Sequence, residues 1–272
     1  MTRAGLPASL VLVGAGKMGG ALLEGWLADG LPGPRVAVVD PAVSPETARL
    51  CGTHGVRLNP PGLGAPEALV LAIKPQGLEG AAASVAALVT PATLVVSVLA
   101  GKTLADLKAR LPGARAVVRA MPNLPASIRR GATGAAASPE TTEAQRRVAD
   151  ALLSGVGLVE WLDSEDLIDA VTAVSGSGPA YVFLLAEALA EAGAAAGLPP
   201  EVAARLARQT VAGAGELLGR SPQEAATLRQ NVTSPGGTTA AALGVLMAGD
   251  GLAPLMRAAV AAARRRAEEL AG

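Results

Sequence analysis

The 272-residue chain is long enough for one large or two modest domains, each with its own core. Basic and acidic residues balance at 23 each, so there is no basic footprint, and nucleic-acid binding is set aside as a function class. The single cysteine, Cys51, excludes an intrachain disulfide, and the single histidine, His54, argues against a His-based metal site; a reducing cytoplasm is the simplest compartment.

Half of the residues are hydrophobic, yet the only aromatics are Trp26, Trp161, Tyr181 and Phe183, so the core must be built from Ala, Val and Leu. The opening stretch, residues 1–13, carries an arginine and then a short apolar run. Because that run feeds directly into Gly14-Ala15-Gly16, it reads as a buried first strand and not as a signal sequence. Further apolar strand-type runs lie at 35–39, 68–73, 93–98 and 115–120, separated mostly by helix-compatible stretches. Their hydrophobicity is continuous where a half-exposed strand would alternate, which predicts a parallel sheet covered by helices on both faces. A helix over 139–153 and a short strand over 156–160 close this unit.

From Asp163 onward only helical segments follow, punctuated by Gly and Pro. The expected fold is therefore α/β: an N-terminal Rossmann-type parallel-sheet domain over 1–162, followed by an all-helical C-terminal domain over 163–272. A helical domain this rich in Ala and Gly has a thin core, so dimerisation through it is expected. No uncharged segment approaches the ~20 apolar residues of a membrane span. The most apolar helix, over 179–197, carries Glu187 and Glu191 on one face, so no membrane association is expected.

Gly14-Ala15-Gly16-Lys17-Met18-Gly19 fits G-x-G-x-x-G between a strand and an apolar helix, and Asp40 ends the next strand. In that setting the glycines let a pyrophosphate approach the backbone at a helix N-terminus, and Asp40 can accept from ribose hydroxyls. A carboxylate there repels a 2′-phosphate and favours NAD over NADP, although Ser44, Thr47 and Arg49 downstream leave a phosphate-holding loop open. Ala72-Ile73-Lys74-Pro75-Gln76, Ala100-Gly101 and Met121-Pro122-Asn123 all follow strands, at the rim where open α/β sheets bind ligands.

Ser234-Pro235-Gly236-Gly237-Thr238-Thr239 opens a later apolar helix. Its glycines, proline and hydroxyls frame free backbone N–H groups that suit a small carboxylate. The bland reading is a tight turn with Thr238 or Thr239 as helix cap.

With these stations in order, the chain resembles the pyrroline-5-carboxylate reductases over nearly its whole length. The likeness runs through Gly14 to Gly19, Asn59, Ala72 to Gln76, Arg119-Ala120-Met121-Pro122-Asn123, Gly131-Ala132-Thr133-Gly134, Ser175-Gly176-Ser177-Gly178-Pro179-Ala180-Tyr181 and Val232 to Thr239. The last two blocks are specific to that family; the first is common to many dehydrogenases. The resemblance implies reduction of L-1-pyrroline-5-carboxylate to L-proline with NADP(H) or NAD(H), and helical domains interlaced in a homodimer that can assemble into a decamer. It places Gly14 to Gly19, Asn59, Lys74, Ala100 and Gly101 along the cofactor. It puts the substrate carboxylate on the backbone amides of Gly236, Gly237 and Thr238 with Ser234 assisting, and the Thr239 hydroxyl against the ring nitrogen. Ala72, Pro75, Met121 and Asn123 complete the expected cofactor rim. Leu124 stands where the family usually has threonine, residues 219–231 do not follow its usual spacing, and Asp40 is not what a strongly NADP-preferring member would show.

Two other readings stay open. A β-hydroxyacid dehydrogenase shares the layout but needs a lysine in the helical domain, and the only lysines here are Lys17, Lys74, Lys102 and Lys108. A nucleotide-sensing protein without turnover is a different class, which an intact carboxylate loop disfavours.

Overall fold

The computed structural model describes residues 5–271; residues 1–4 and 272, which the expected domain ranges include, lie outside the described residues. In chain order the first part contains β1 (Leu10–Val13), α1 (Lys17–Ala28), β2 (Val36–Val39), α2 (Pro45–His54), β3 (Arg57–Leu58), β4 (Ala68–Leu71) and α3 (Leu78–Ala86). It continues with β5 (Leu94–Ser97), α4 (Leu104–Arg110), β6 (Ala116–Met121), β7 (Gly131–Ala137), α5 (Glu143–Leu153), β8 (Gly157–Trp161) and α6 (Ile168–Val171). A π-helical turn over Thr172–Gly176 leads into α7 (Gly178–Ala195), α8 (Pro200–Arg220), α9 (Ala225–Asn231), α10 (Thr238–Leu246) and α11 (Leu252–Ala271).

The strands form one sheet in the order β3-β2-β1-β4-β5-β6-β7-β8, parallel throughout except for the antiparallel pair β6–β7. Strand parity explains the continuous apolar runs. Leu10, Leu12, Val36, Val38, Val70 and Val96 face a core that includes Leu22, Leu23 and Trp26 of α1 and Leu152 of α5. Their neighbours Val11, Val13, Ala37, Leu69, Leu71 and Val95 face the opposite core, with Leu78 and Val85 of α3 and Leu107 of α4. The central strands β1, β2 and β4 are thus apolar on both sides, which leaves them almost no position for a polar residue. The one buried indole N–H, on Trp26, donates to the Leu152 carbonyl at 2.7 Å.

Local signals set the helix starts. Thr103 caps α4 in a reciprocal box with Asp106, and Thr142 caps α5 with Gln145. Burial raises the Asp106 carboxyl, but the Thr103 N–H and hydroxyl, with Lys102 and Arg110 nearby, outweigh it and hold its pKa below the usual value.

By contact the chain falls into two compact units, residues 5–176 with 264–271, and residues 177–263. The first unit thus runs beyond Asp163, where the sequence placed the boundary, because Arg119 of β6 holds Glu165 at 2.9 Å and Asp169 at 3.6 Å. In the second unit, taken by itself, α7 packs on α8 through small residues: a Cβ on Gly193 would lie 3.2 Å from that of Ala203. The helical run over Glu165–Ala195, in which a π-helical turn joins α6 to α7, is long and apolar enough, by length and composition only, to cross a membrane, although it carries Glu165, Asp166, Asp169, Glu187 and Glu191.

Candidate active site

Strand order reverses its direction of growth between β1 and β4, and the C-terminal ends of such a pair form the crevice where open α/β sheets bind ligands. The glycine turn between β1 and α1 lies there. Gly14 has φ +91°, and a Cβ on it would lie 2.7 Å from the Ala72 carbonyl carbon and the Ile73 nitrogen, so β4 passes against it too closely for a side chain. A Cβ on Gly19 would strike the Gly14 carbonyl oxygen. Gly16, which caps α1, differs: a Cβ added to it would meet nothing within 4 Å, so its free side is open space. Among the described residues, the N–H groups of Lys17, Met18 and Gly19 have no backbone partner and no side-chain cap, and the first turn carries no acid. This arrangement fits a dinucleotide pyrophosphate.

Asp40 and Asn59 form the adjoining wall. The Asp40 carboxylate accepts from Ala15 N–H at 2.7 Å and Ala42 N–H at 2.8 Å, while the Asn59 amide bonds both polar groups of the Asp40 backbone. Ala72, half-buried, continues β4 by donating to the Val13 carbonyl at 2.8 Å. Lys74 makes no ion pair among the described residues and caps the short helical turn Pro75–Gly77. Ala100 is exposed, and Gly101 takes φ +69° with its α-carbon pressed toward the Leu270 carbonyl, in the part of α11 that belongs to the first unit.

Met121 and Asn123, at the end of β6, both meet the π-helical turn. The Met121 methyl lies 3.0 Å from where a Gly176 Cβ would be. Asn123 donates to the Ser175 carbonyl at 3.0 Å and accepts from Ala132 N–H at 2.9 Å, so its amide ties β6, β7 and the π-helical turn together.

In the second unit, the Ser234 carbonyl accepts from Gly237 N–H at 3.0 Å, with Pro235 second and Gly236, at φ +69°, third, the residue pattern of a type II turn. This corrects one expectation: the Gly237 amide is spent inside the turn and is not offered to a ligand. The donors left are those of Thr238, Thr239 and Ala240 at the start of α10, which have no backbone partner and no side-chain cap among the described residues. Neither threonine caps the helix; Gly237 does. Gly236 and Thr238 lie on the open side of the turn, with no hydrogen bond to the Ser234, Thr238 or Thr239 hydroxyls among the described residues.

Residues 165–270 match the family model for pyrroline-5-carboxylate reductase dimerisation, and residues 9–101 match that for the coenzyme F420-dependent NADP oxidoreductases. The chain is 42% identical to pyrroline-5-carboxylate reductase of Pseudomonas aeruginosa over 265 residues, 96% of each chain. The chain belongs to the pyrroline-5-carboxylate reductase family. The enzyme of that name from Synechocystis is 41% identical, covering 96% of this chain and 97% of its own. Among solved structures, the reductase from Coxiella burnetii superposes with a TM-score of 0.90 at 37% identity, covering 98% of this chain and 99% of that one.

Family membership makes the helical unit an oligomerisation unit. Its surface agrees: Val182, Phe183, Leu184, Leu217, Val245 and Leu255 are each at least 46% exposed, while only Ala203 and Ala207 are buried among its described apolar residues. Sequence reasoning picked out Arg119 and Asn123 as motif letters without seeing their work. The signal for Arg119 was available, since a charge inside an apolar strand needs a buried partner. That for Asn123 was not, because its partners lie 9 and 52 residues away.

Proposed function

We propose that the chain reduces L-1-pyrroline-5-carboxylate to L-proline by hydride transfer from NAD(P)H, the last step of proline synthesis. The observation that carries this reading is 42% identity across 96% of the Pseudomonas aeruginosa reductase. The uncapped starts of α1 and α10 support it, one suited to a pyrophosphate and the other to a carboxylate.

When bound, the reduced coenzyme supplies hydride to the imine carbon. The protein's share is placement, since a protonated cyclic imine is already a good electrophile. Gly14, Gly16 and the first-turn amides of α1 hold the pyrophosphate, with Lys74 at the rim. The amides of Thr238, Thr239 and Ala240 take the substrate carboxylate, Ser234 assists, and the Thr239 hydroxyl orients the ring nitrogen. Bringing donor and acceptor carbons within about 3–3.5 Å supplies much of the acceleration. As hydride adds, the nitrogen keeps its proton and becomes the amine of proline. No acid–base lysine is required, and none exists beyond Lys108.

The assembly proposed is a homodimer through the helical unit, with decamers built from dimers, in the cytoplasm. The test of function is coenzyme absorbance with and without pyrroline-5-carboxylate. Substrate-dependent oxidation yielding proline is expected; binding without consumption would leave a sensor instead. Thr239→Val keeps the shape and removes the hydroxyl, and turnover should fall 10- to 100-fold, roughly 1.4–3 kcal/mol of barrier. Unchanged turnover would eliminate that role for Thr239.

A further inference from the structure

Asp40 is held more firmly than a ribose-binding carboxylate needs to be. Its Oδ2 accepts from Ala15 N–H at 2.7 Å, inside the glycine turn, and its Oδ1 accepts from Ala42 N–H at 2.8 Å. Its backbone is fixed as well: Asp40 N–H donates to Asn59 Oδ1 at 2.9 Å, and Asn59 Nδ2 donates to the Asp40 carbonyl at 2.8 Å. Asn59 does this from φ +45°, one of two non-glycine residues with positive φ among the described residues.

We infer that Asn59, Asp40 and Ala15 form a rigid latch that selects the coenzyme lacking a 2′-phosphate, so that this chain uses NADH in preference to NADPH. The inference rests on the reductase reading and names the coenzyme of that same site.

A carboxylate oxygen has two acceptor positions, and the latch takes one on each. One remains on each oxygen, enough for the two ribose hydroxyls. A 2′-phosphate has no such proton to give and brings about two negative charges against a third. The carboxylate cannot swing aside to admit it without stranding the Ala15 and Ala42 amides. Of the nearby groups that could receive a phosphate, Ser44 is engaged in its own helix cap and Arg49 through one of its three guanidinium nitrogens. Ser44 accepts from Thr47 N–H and donates to Thr47 Oγ1 as the cap of α2. The Arg49 Nε donates to the Pro45 carbonyl of its own helix at 3.3 Å. Arg57 lines a small cleft with Ser9 and Leu10, at the opposite end of β1 from the glycine turn. Asn59 is then a positioning residue, since both polar atoms of its amide act on Asp40. The NADP named for the matched oxidoreductase family does not extend to this chain's preference.

The test is calorimetric binding of ADP-ribose and 2′-phospho-ADP-ribose, which lack nicotinamide, to the full-length protein. ADP-ribose should bind at least tenfold tighter. Asp40→Ser should cut that ratio below threefold. Asn59→Gly, which keeps the backbone conformation, should weaken ADP-ribose several-fold without strengthening the phosphorylated probe, and should raise KM for NADH while sparing kcat. Equal or tighter binding of the phosphorylated probe by the unmutated protein would overturn the latch, as would an undiminished ratio in Asp40→Ser. If that variant does not fold, the unmutated ratio still decides. Absence of any pyrroline-5-carboxylate-dependent oxidation, with the tenfold ratio present, would refute the reductase reading and leave the latch standing.

Discussion

Gly16 and Gly19 lie three residues apart in one turn, yet a methyl group added at each meets opposite surroundings. At Gly19 it runs into the Gly14 carbonyl, and backbone must move. At Gly16 it meets nothing within 4 Å. Gly19→Ala should therefore cost about 2–3 kcal/mol of stability, the scale of an overpacked core. Gly16→Ala should cost under about 1 kcal/mol as a poorer cap, while weakening coenzyme at least tenfold by filling the pyrophosphate's approach. Urea unfolding and coenzyme titration of the two variants separate the effects; equal destabilisation would contradict this division of roles. The glycine motif was thus legible in sequence, but the difference between its members was not. It depends on how the folded turn brings the Gly14 carbonyl, and behind it the Ala72 side chain, against Gly19. The carboxylate loop was read in the same way: its place before a helix was plain, whereas the loss of the Gly237 amide to Ser234 is a turn geometry that only the folded chain reveals.

Among the elements, the central strands of the first unit are where expectation and structure agree best, because β1, β2, β4, β5 and β6 are short Val- and Leu-rich runs buried on both faces. β7 was missed. Its sequence, Gly131 to Ala137, has one β-branched residue and reads as a loop, yet it pairs with both β6 and β8. The composition follows from packing: α6 lies over it so closely that a Cβ on Gly134 would come within 2.7 Å of Val171. A two-residue strand such as β3 carries too little pattern to read at all. The link that secures α6 to this sheet is the buried Arg119, 4% exposed, with Glu165 and Asp169. Glu165 also accepts from Leu104 N–H at 2.8 Å, at the start of α4. Glu165→Ala would leave a buried guanidinium short of a partner and should destabilise by about 3 kcal/mol in denaturant unfolding. A change below about 1 kcal/mol would show the pair to be solvated.

At the scale of the whole molecule, the two units solve burial in different ways. The sheet unit encloses two cores of its own, one on each face. The helical unit, residues 177–263, leaves its large apolar side chains exposed, which a stable isolated unit does not do. Composition had anticipated this, since few aromatics and many alanines give a thin core. Sedimentation at micromolar concentration should therefore find a dimer or a larger even assembly, and a monomer would contradict the role given to that surface. Hydride transfer makes a further demand: the turn proposed to bind the carboxylate and the coenzyme must meet in the working enzyme. The most direct test is a crystal structure with oxidised coenzyme and L-proline bound. The proline carboxylate should then lie on the Thr238, Thr239 and Ala240 amides, its nitrogen facing the Thr239 hydroxyl and its ring carbon against the nicotinamide. Proline bound elsewhere, or that turn left empty beside a filled coenzyme site, would contradict the proposed chemistry.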